Sequence, residues 1–256
     1  MINWDDRGKL VLKYKGDDYY TISPLPFYIK RRKLLLKEMT RWIEKDMKIL
    51  DYGCGDGWYV NYLSNYFNHS IDIEGCDISK QFIEKAKHDY QKFKFFEERE
   101  IRELEKYDLI YIVAVLAHLD NFEVEKLLQK VNTLLKPGGK VILFEQVSSP
   151  GRVGVGFIKR EISEFHDLIS AQGFNFVAAK LISFSFYNFF ERRIIGKIYP
   201  LFTTEKDPYK KRLISNGSPF FRLLIRFILI FDLQPVKVNP LEGTGNYFLV
   251  AQKKYQ

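Results

Sequence analysis

From residue 47 onward the chain alternates between two hydrophobic periods. "MKILDY" is a short, nearly continuous apolar run, the length of a buried strand, and "DGWYVNYLSNYF" then spaces its apolar residues along one helical face. "SIDIEGCDIS" predicts a second strand, with Ser79 at the N-cap position of a helix carrying Phe82, Ile83, Ala86, Tyr90 and Phe93. "FKFF" predicts a third strand and "YDLIYIVAV" a fourth, apolar throughout, as a strand covered on both faces should be. Asp120 and Glu123 form a capping-box pattern for the next helix, with Phe122, Val124, Leu127, Leu128, Val131 and Leu134 on its inner side. "KPGG" stops that helix and "KVILFEQV" follows as a fifth strand. A helix through Ile162, Phe165, Leu168 and Ile169 ends near Gly173, and "FNFVAAKLISF" and "NYFLVAQKK" are the last two strands.

Repeated β–α alternation implies an α/β, doubly wound, Rossmann-like fold: a mostly parallel sheet of seven strands with helices on both faces. Two segments break the rhythm and set the domain organisation. Residues 1–46 hold a basic helix around "PFYIKRRKLLLKEMTRWIEK", and residues 185–245 are a long basic and aromatic insertion. Residues 47–184 and 246–256 make the central domain between them.

Charge sharpens the reading of the insertion. Residues 1–179 carry 27 basic and 27 acidic side chains, whereas residues 180–256 carry 13 and 5, so the whole net charge of +8 sits in the last third. That part of the chain is expected to face something anionic. "SPFFRLLIRFILIFDL" is strongly apolar but is shorter than the about 20 residues a bilayer needs, and carries Arg222 and Arg226. A buried covering helix and an interfacial amphipathic helix both fit it. Composition is otherwise that of a globular protein, 46% hydrophobic and 28% charged. Two cysteines without a zinc or disulfide spacing, and a start lacking a signal-peptide pattern, lead us to expect a cytoplasmic protein.

Chemistry concentrates in "ILDYGCGDGWYV". In a doubly wound sheet, ligands bind beyond the carboxyl ends of the strands, where the first β–α turn approaches them. Gly53, Gly55 and Gly57 allow that approach. A dinucleotide turn would place a third glycine where Trp58 stands, and a Walker loop would continue with a lysine that is absent. Asp51 and Asp56 flank the turn, and their charge opposes a pyrophosphate but suits a cationic ligand. Asp77 ends the second strand, placed to accept hydrogen bonds from ribose hydroxyls. The site is built for a nucleoside with a positive centre and no phosphates.

"ILDYGCGDG", "IEGCDIS", "YDLIYIVAVLAHL" and "LLKPGGKVILFE" resemble, in order and spacing, the successive motifs of class I S-adenosylmethionine-dependent methyltransferases. The resemblance covers about residues 47–180 and the last strand, and implies that this strand runs antiparallel to the rest. It implies S-adenosyl-L-methionine as cofactor, with Asp51, Gly53, Cys54, Gly55 and Gly57 around the methionine and ribose portion. Asp77 would hold the ribose, Ile78 would lie on the adenine, Glu100 and Ile101 near its amino group, and Val113 would close the site. The side chains of Cys54 and Cys76 are read as packing groups. His118, after the fourth strand, is the candidate general base. Ala114 and Ala117 occupy places where some relatives carry metal-binding acids, so no metal is expected.

The expected reaction moves a methyl group to an oxygen, before a nitrogen, of a small-molecule, glycan or lipid-linked acceptor. "VAVL" replaces the Asn/Asp-Pro-Pro-Tyr/Phe motif of many amino-methylating enzymes. The insertion is expected to shape the acceptor pocket, with peripheral contact to an anionic membrane at its inner face and no nucleic acid. A non-catalytic cofactor-binding partner and an RNA methyltransferase are the competing readings. The N-terminal helix, through Tyr28, Arg31 and Arg32, is expected to cover the cofactor.

Overall fold

Strand β1 (Lys48–Tyr52) lies near the middle of the sheet in a computed structural model that describes residues 5–6, 25–101, 106–147, 151–152, 158–182, 218–230, 236–238 and 245–254, with residues 190, 197, 204 and 206. It is followed by β2 (Asp72–Asp77), β3 (Lys94–Glu97), β4 (Tyr107–Val113) and β5 (Leu135–Val147). A small separate ribbon, β6 (Gly151–Arg152) and β7 (Ile158–Lys159), precedes β8 (Phe174–Ile182), β9 (Val236–Val238) and β10 (Gly245–Lys253). The main sheet has the order β3-β2-β1-β4-β5-β10-β8-β9. β1 is parallel to both β2 and β4, and β10 runs antiparallel to β5 and β8.

The seven expected strands are present, six parallel and β10 antiparallel, and the insertion adds a three-residue eighth strand, β9, on the edge of β8. Nothing in the period of "PVKV" distinguishes so short an edge strand from a loop. The chain runs outward through β1, β2 and β3, then crosses back to β4. The switch point therefore lies between β1 and β4, where such sheets bind ligands.

Among the described residues, six helices of eight or more residues cover the two faces. Helices α1 (Leu25–Met39), α2 (Trp58–Tyr66), α3 (Lys80–Asp89) and α6 (Pro219–Ile230) bury their apolar sides in one core layer. Helices α4 (Asn121–Leu134) and α5 (Ile162–Ala171) fill the other. β5 shows why its sequence is apolar without alternation: Ile142 and Phe144 face the first layer, Val141 and Leu143 the second.

α6 packs on α1 and buries Phe221, Ile225, Ile228 and Leu229. At about 1.5–3 kcal/mol per fully buried side chain, these four anchor the helix firmly. Lys30 Nζ donates to the Leu229 carbonyl at 2.6 Å. Lys180 of β8 pairs with the buried Glu38 of α1, fastening the basic helix to the sheet.

Three local expectations change. Phe122 lies on the outer side of α4, 64% exposed, with Lys126 Nζ 4.2 Å from its ring centroid; the capping box itself forms as expected. Ser79 holds the N-cap position of α3, but its hydroxyl donates to Asp5 Oδ1 at 2.8 Å, and that carboxylate also accepts from the Gln81 amide at 3.4 Å. An acid from far along the chain thus caps the helix. "KPGG" ends α4, yet these residues already belong to β5, which begins at Leu135 and absorbs them where the register with β4 shifts.

Candidate active site

β1 delivers Asp51 and Tyr52 to the switch point, and the turn 53–57 folds back over the end of β2. The amides of Gly53 and Cys54 both donate to the Cys76 carbonyl, at 2.8 and 2.9 Å. Gly53, Gly55 and Gly57 all have positive φ, but for different reasons. A Cβ on Gly53 would lie 2.4 Å from Val115 Cγ2, and one on Gly57 would lie 2.5 Å from the Phe95 ring, so both are packing glycines. A Cβ on Gly55 would meet nothing within 4 Å. That turn residue borders open space, where a ligand can lie against the backbone.

Asp77 organises the turn. Its Oδ2 accepts from the Gly55 amide at 2.9 Å and its Oδ1 from the Ser79 amide at 2.8 Å. Burial raises its pKa, and the amides of Ser79, Gly55 and Ile78 pull it back toward the charged form. Each oxygen retains acceptor capacity after one backbone bond.

Asp51 is 1% exposed, and its Oδ2 has no hydrogen-bond partner among the described residues. Burial pushes its pKa well above the usual carboxylate range; Asp77 and Asp56 add to the rise, while the Tyr111 hydroxyl and Arg32 oppose it. The Tyr111 hydroxyl is near enough to act on Asp51, but is not aligned into a full hydrogen bond. An orphaned buried acceptor beside two more carboxylates fits a ligand bringing a cation.

Trp58, which displaces the third glycine of a dinucleotide turn, supports the N-terminal helix. The Arg32 guanidinium lies 3.5 Å over its ring centroid and 4.8 Å from that of Tyr59. Arg31 of the same helix points elsewhere, reaching Asn246 Oδ1 at 3.4 Å and the Phe144 ring. The side chain of Tyr28 lies outside the described residues.

The other sequence-derived positions fall around this turn unequally. Ile78, 65% exposed, follows Asp77 directly and offers an apolar surface at the end of β2. Val113, half-buried, ends β4 beside β1. Glu100 is exposed, and its Oε2 accepts from the Glu97 amide at 2.8 Å, capping its own short 3-10 turn. Ile101 is half-buried against the second core layer. The acid that turns inward from that stretch is Glu98, which accepts from the Tyr52 hydroxyl at 2.6 Å and pairs with Lys130. The Cys54 and Cys76 thiols are buried and their pKa values pushed up by burial, which removes thiolate chemistry.

His118 closes a 3-10 turn, Leu116–His118, beyond β4. Sequence reasoning missed what holds that turn. Glu145 Oε1 accepts from the amides of Val115 and Leu116, each at 2.8 Å. Arg160, fully buried, donates to the carbonyls of Leu116 (2.8 Å) and Leu119 (2.6 Å) and to Asn121 Oδ1 (2.9 Å). One acid and one base thus clamp both polarities of the turn's backbone. Burial lifts the Glu145 pKa to about 7 against the pull of the turn amides and Arg160. The available signal was an acid inside the apolar run of "VILFEQV", where a strand covered on both faces has no solvent to offer it.

A family model described as a methyltransferase domain matches residues 27–185. Phosphoethanolamine N-methyltransferase 3 of Arabidopsis thaliana is 28% identical over 136 residues, 49% of this chain and 27% of the relative. The chain therefore spans about a quarter of that relative's length. Phosphoethanolamine N-methyltransferase 2 of Haemonchus contortus, solved with phosphomonomethylethanolamine and S-adenosylhomocysteine, superposes with a TM-score of 0.62 at 16% identity, covering 100% of this chain and 61% of that one. The StiE O-MT structure superposes with a TM-score of 0.58 at 17% identity, covering 87% and 72%. At these identities, the two solved structures share the fold.

Proposed function

The chain belongs to the methyltransferase-domain family, and we propose that it moves the methyl group of S-adenosyl-L-methionine to a nucleophilic oxygen or nitrogen of a small-molecule, glycan or lipid-linked acceptor. The observation that carries this reading is the orphaned Asp51 carboxylate oxygen beside the open Gly55 turn at the sheet's switch point. The oxygen expected from the sequence stands beside nitrogen here, because the Arabidopsis and Haemonchus relatives are N-methyltransferases by name and StiE is an O-MT.

When bound, the cofactor supplies a methyl carbon already activated by its sulfonium. The work left to the chain is binding, alignment and exclusion of water. Asp51 takes the amino group of the methionine portion, and Arg32, held over Trp58, takes its carboxylate. Gly53, Cys54, Gly55 and Gly57 give the nucleoside a wall of backbone. Asp77 turns its remaining lone pairs to the ribose hydroxyls. Ile78 and Ile101 flank the adenine, and Glu100 reaches it only by releasing the Glu97 amide. Val113 and the clamped turn 114–118 face the acceptor, where His118 receives a proton from an attacking hydroxyl. The basic insertion meets an anionic membrane surface.

Titration calorimetry with S-adenosylhomocysteine, NAD and ATP tests the site directly. Saturable heat is expected with the first alone, and Asp77→Ala is expected to abolish it. Saturation by NAD or ATP with none by S-adenosylhomocysteine overturns the reading. Transfer of labelled methyl from S-adenosylmethionine into fractionated cell extract then identifies the acceptor class.

A further inference from the structure

Helix α6 has two apolar sides, one buried in the core and one largely exposed. Phe221, Ile225, Ile228 and Leu229 are buried against the first core layer. Phe220, Leu223, Phe227 and Ile230 are 68%, 63%, 59% and 64% exposed. At 3.6 residues per turn these four fall within an arc of about 80°, nearly opposite the buried side. They are four of the ten large hydrophobic side chains exposed among the described residues, so the stripe is a cluster rather than scatter. Arg226, exposed, and Arg222, half-buried, border it on one side, and no acid occurs between residues 218 and 230.

We propose that this stripe is a docking surface for an anionic lipid bilayer, with α6 lying in the plane of the interface and Arg222 and Arg226 among the headgroups. The inference rests on the membrane contact proposed above and names the face that makes it. Three observations favour a bilayer. The helix is 12 residues long, about 18 Å, and none of the described helices is long and apolar enough to cross a membrane, so α6 lies on the surface. Its other side is anchored in the core, so the stripe is presented without any ordering cost. Residues 180–256 carry the whole +8 excess of the chain, a charge that complements acidic headgroups.

Co-sedimentation of the full chain with phosphatidylcholine vesicles, with and without a quarter phosphatidylglycerol, reads the docking. Wild type is expected to bind the anionic vesicles at least about tenfold more tightly, with binding weakened by salt. Leu223→Ser/Phe227→Ser is expected to lower binding to both vesicle types about tenfold or more, and Arg222→Gln/Arg226→Gln to lower it on the anionic vesicles alone. Phe122→Ser removes an equally exposed ring from the opposite face of the sheet and is expected to change nothing; circular-dichroism melts confirm that each variant is folded. Undiminished binding by folded Leu223→Ser/Phe227→Ser overturns the assignment of the face, even if the insertion meets the membrane elsewhere. A dimer in light scattering that this variant dissociates, without vesicle binding by wild type, overturns the bilayer in favour of a second copy. Neither outcome bears on cofactor calorimetry, so the methyltransferase reading stands or falls separately.

Discussion

Replacing Glu145 by Gln removes one ionisation from the middle of the sheet while keeping an oxygen to accept the Val115 and Leu116 amides. In the wild type the group's pKa rises from 4.5 when unfolded to about 7 when folded. Because the carboxyl is fully buried, that difference corresponds to about 3 kcal/mol between its neutral and ionised forms. Between these two values the folded protein holds a proton that the unfolded chain has lost. By linkage, stability falls as pH rises through this window. From pH 5 to pH 8 the wild type should lose about 2–3 kcal/mol that Glu145→Gln does not lose. In a chain of this length that is a relative Tm shift of about 5–10 °C. Thermal melts of the two proteins in matched buffers at half-unit pH steps measure it, with the difference between the curves cancelling every other titration. Parallel curves from pH 5 to 8 would show that Glu145 is already ionised and paired at low pH, and refute the account of the clamp as a carboxyl held near neutrality.

Asp51 makes a second pH prediction. Its pKa stands well above the ordinary carboxylate range in the absence of a cation, so an arriving ammonium should drive a proton off it. S-adenosylhomocysteine should bind more tightly as pH rises, with calorimetric heats that depend on buffer ionisation enthalpy; heats independent of buffer would count against it. Gly55→Ala should cost only about 1–2 kcal/mol of stability, for its left-handed φ of 54°, but lower cofactor affinity more than about tenfold. Gly57→Ala should destabilise far more, because the Phe95 ring occupies the space; the reverse ranking in melts and calorimetry would refute the division of the glycines. His118→Ala should lower kcat more than about tenfold with the cofactor Kd unchanged, and a near-normal kcat would retire the base.

The sheet was legible because its signals are local. The strands of the main sheet and the helices from residue 47 to 182 carry their own periods, whereas the two-residue strands β6 and β7 are too short to carry one; Gly55 and Asp77 mark the ligand turn within thirty residues of each other. What stayed hidden depends on partners distant in the chain. The Ser79 cap was legible as a position, but Asp5 supplies the acceptor. Phe122 was misread although its place was legible: at 100° per residue it falls opposite the arc of Val124, Leu127, Leu128, Val131 and Leu134, which α4 buries. "KPGG" was legible as a stop, but not as a bulged part of β5, because the pairing of Tyr107 with Leu135 is long-range. Glu145 and Arg160 lie fifteen residues apart in sequence and come to the same turn through the fold, with Arg160 bridged to Val147 of β5. For α6 the composition fitted a covering helix and a surface helix equally, and the structure shows why: one side covers the core and the other is exposed.

The place of β10 between β5 and β8 has a consequence for how the chain comes to be folded. Among the described residues, β8 and β9 are joined to the remainder of the sheet only across β10. A ribosome makes the central strands early and this one late, so during synthesis the apolar run of β8 waits, its edge open, until residues 245–253 emerge and slot in. Removing residues 245–253 should therefore leave β8 and β9 without a neighbour, prone to pairing with other chains.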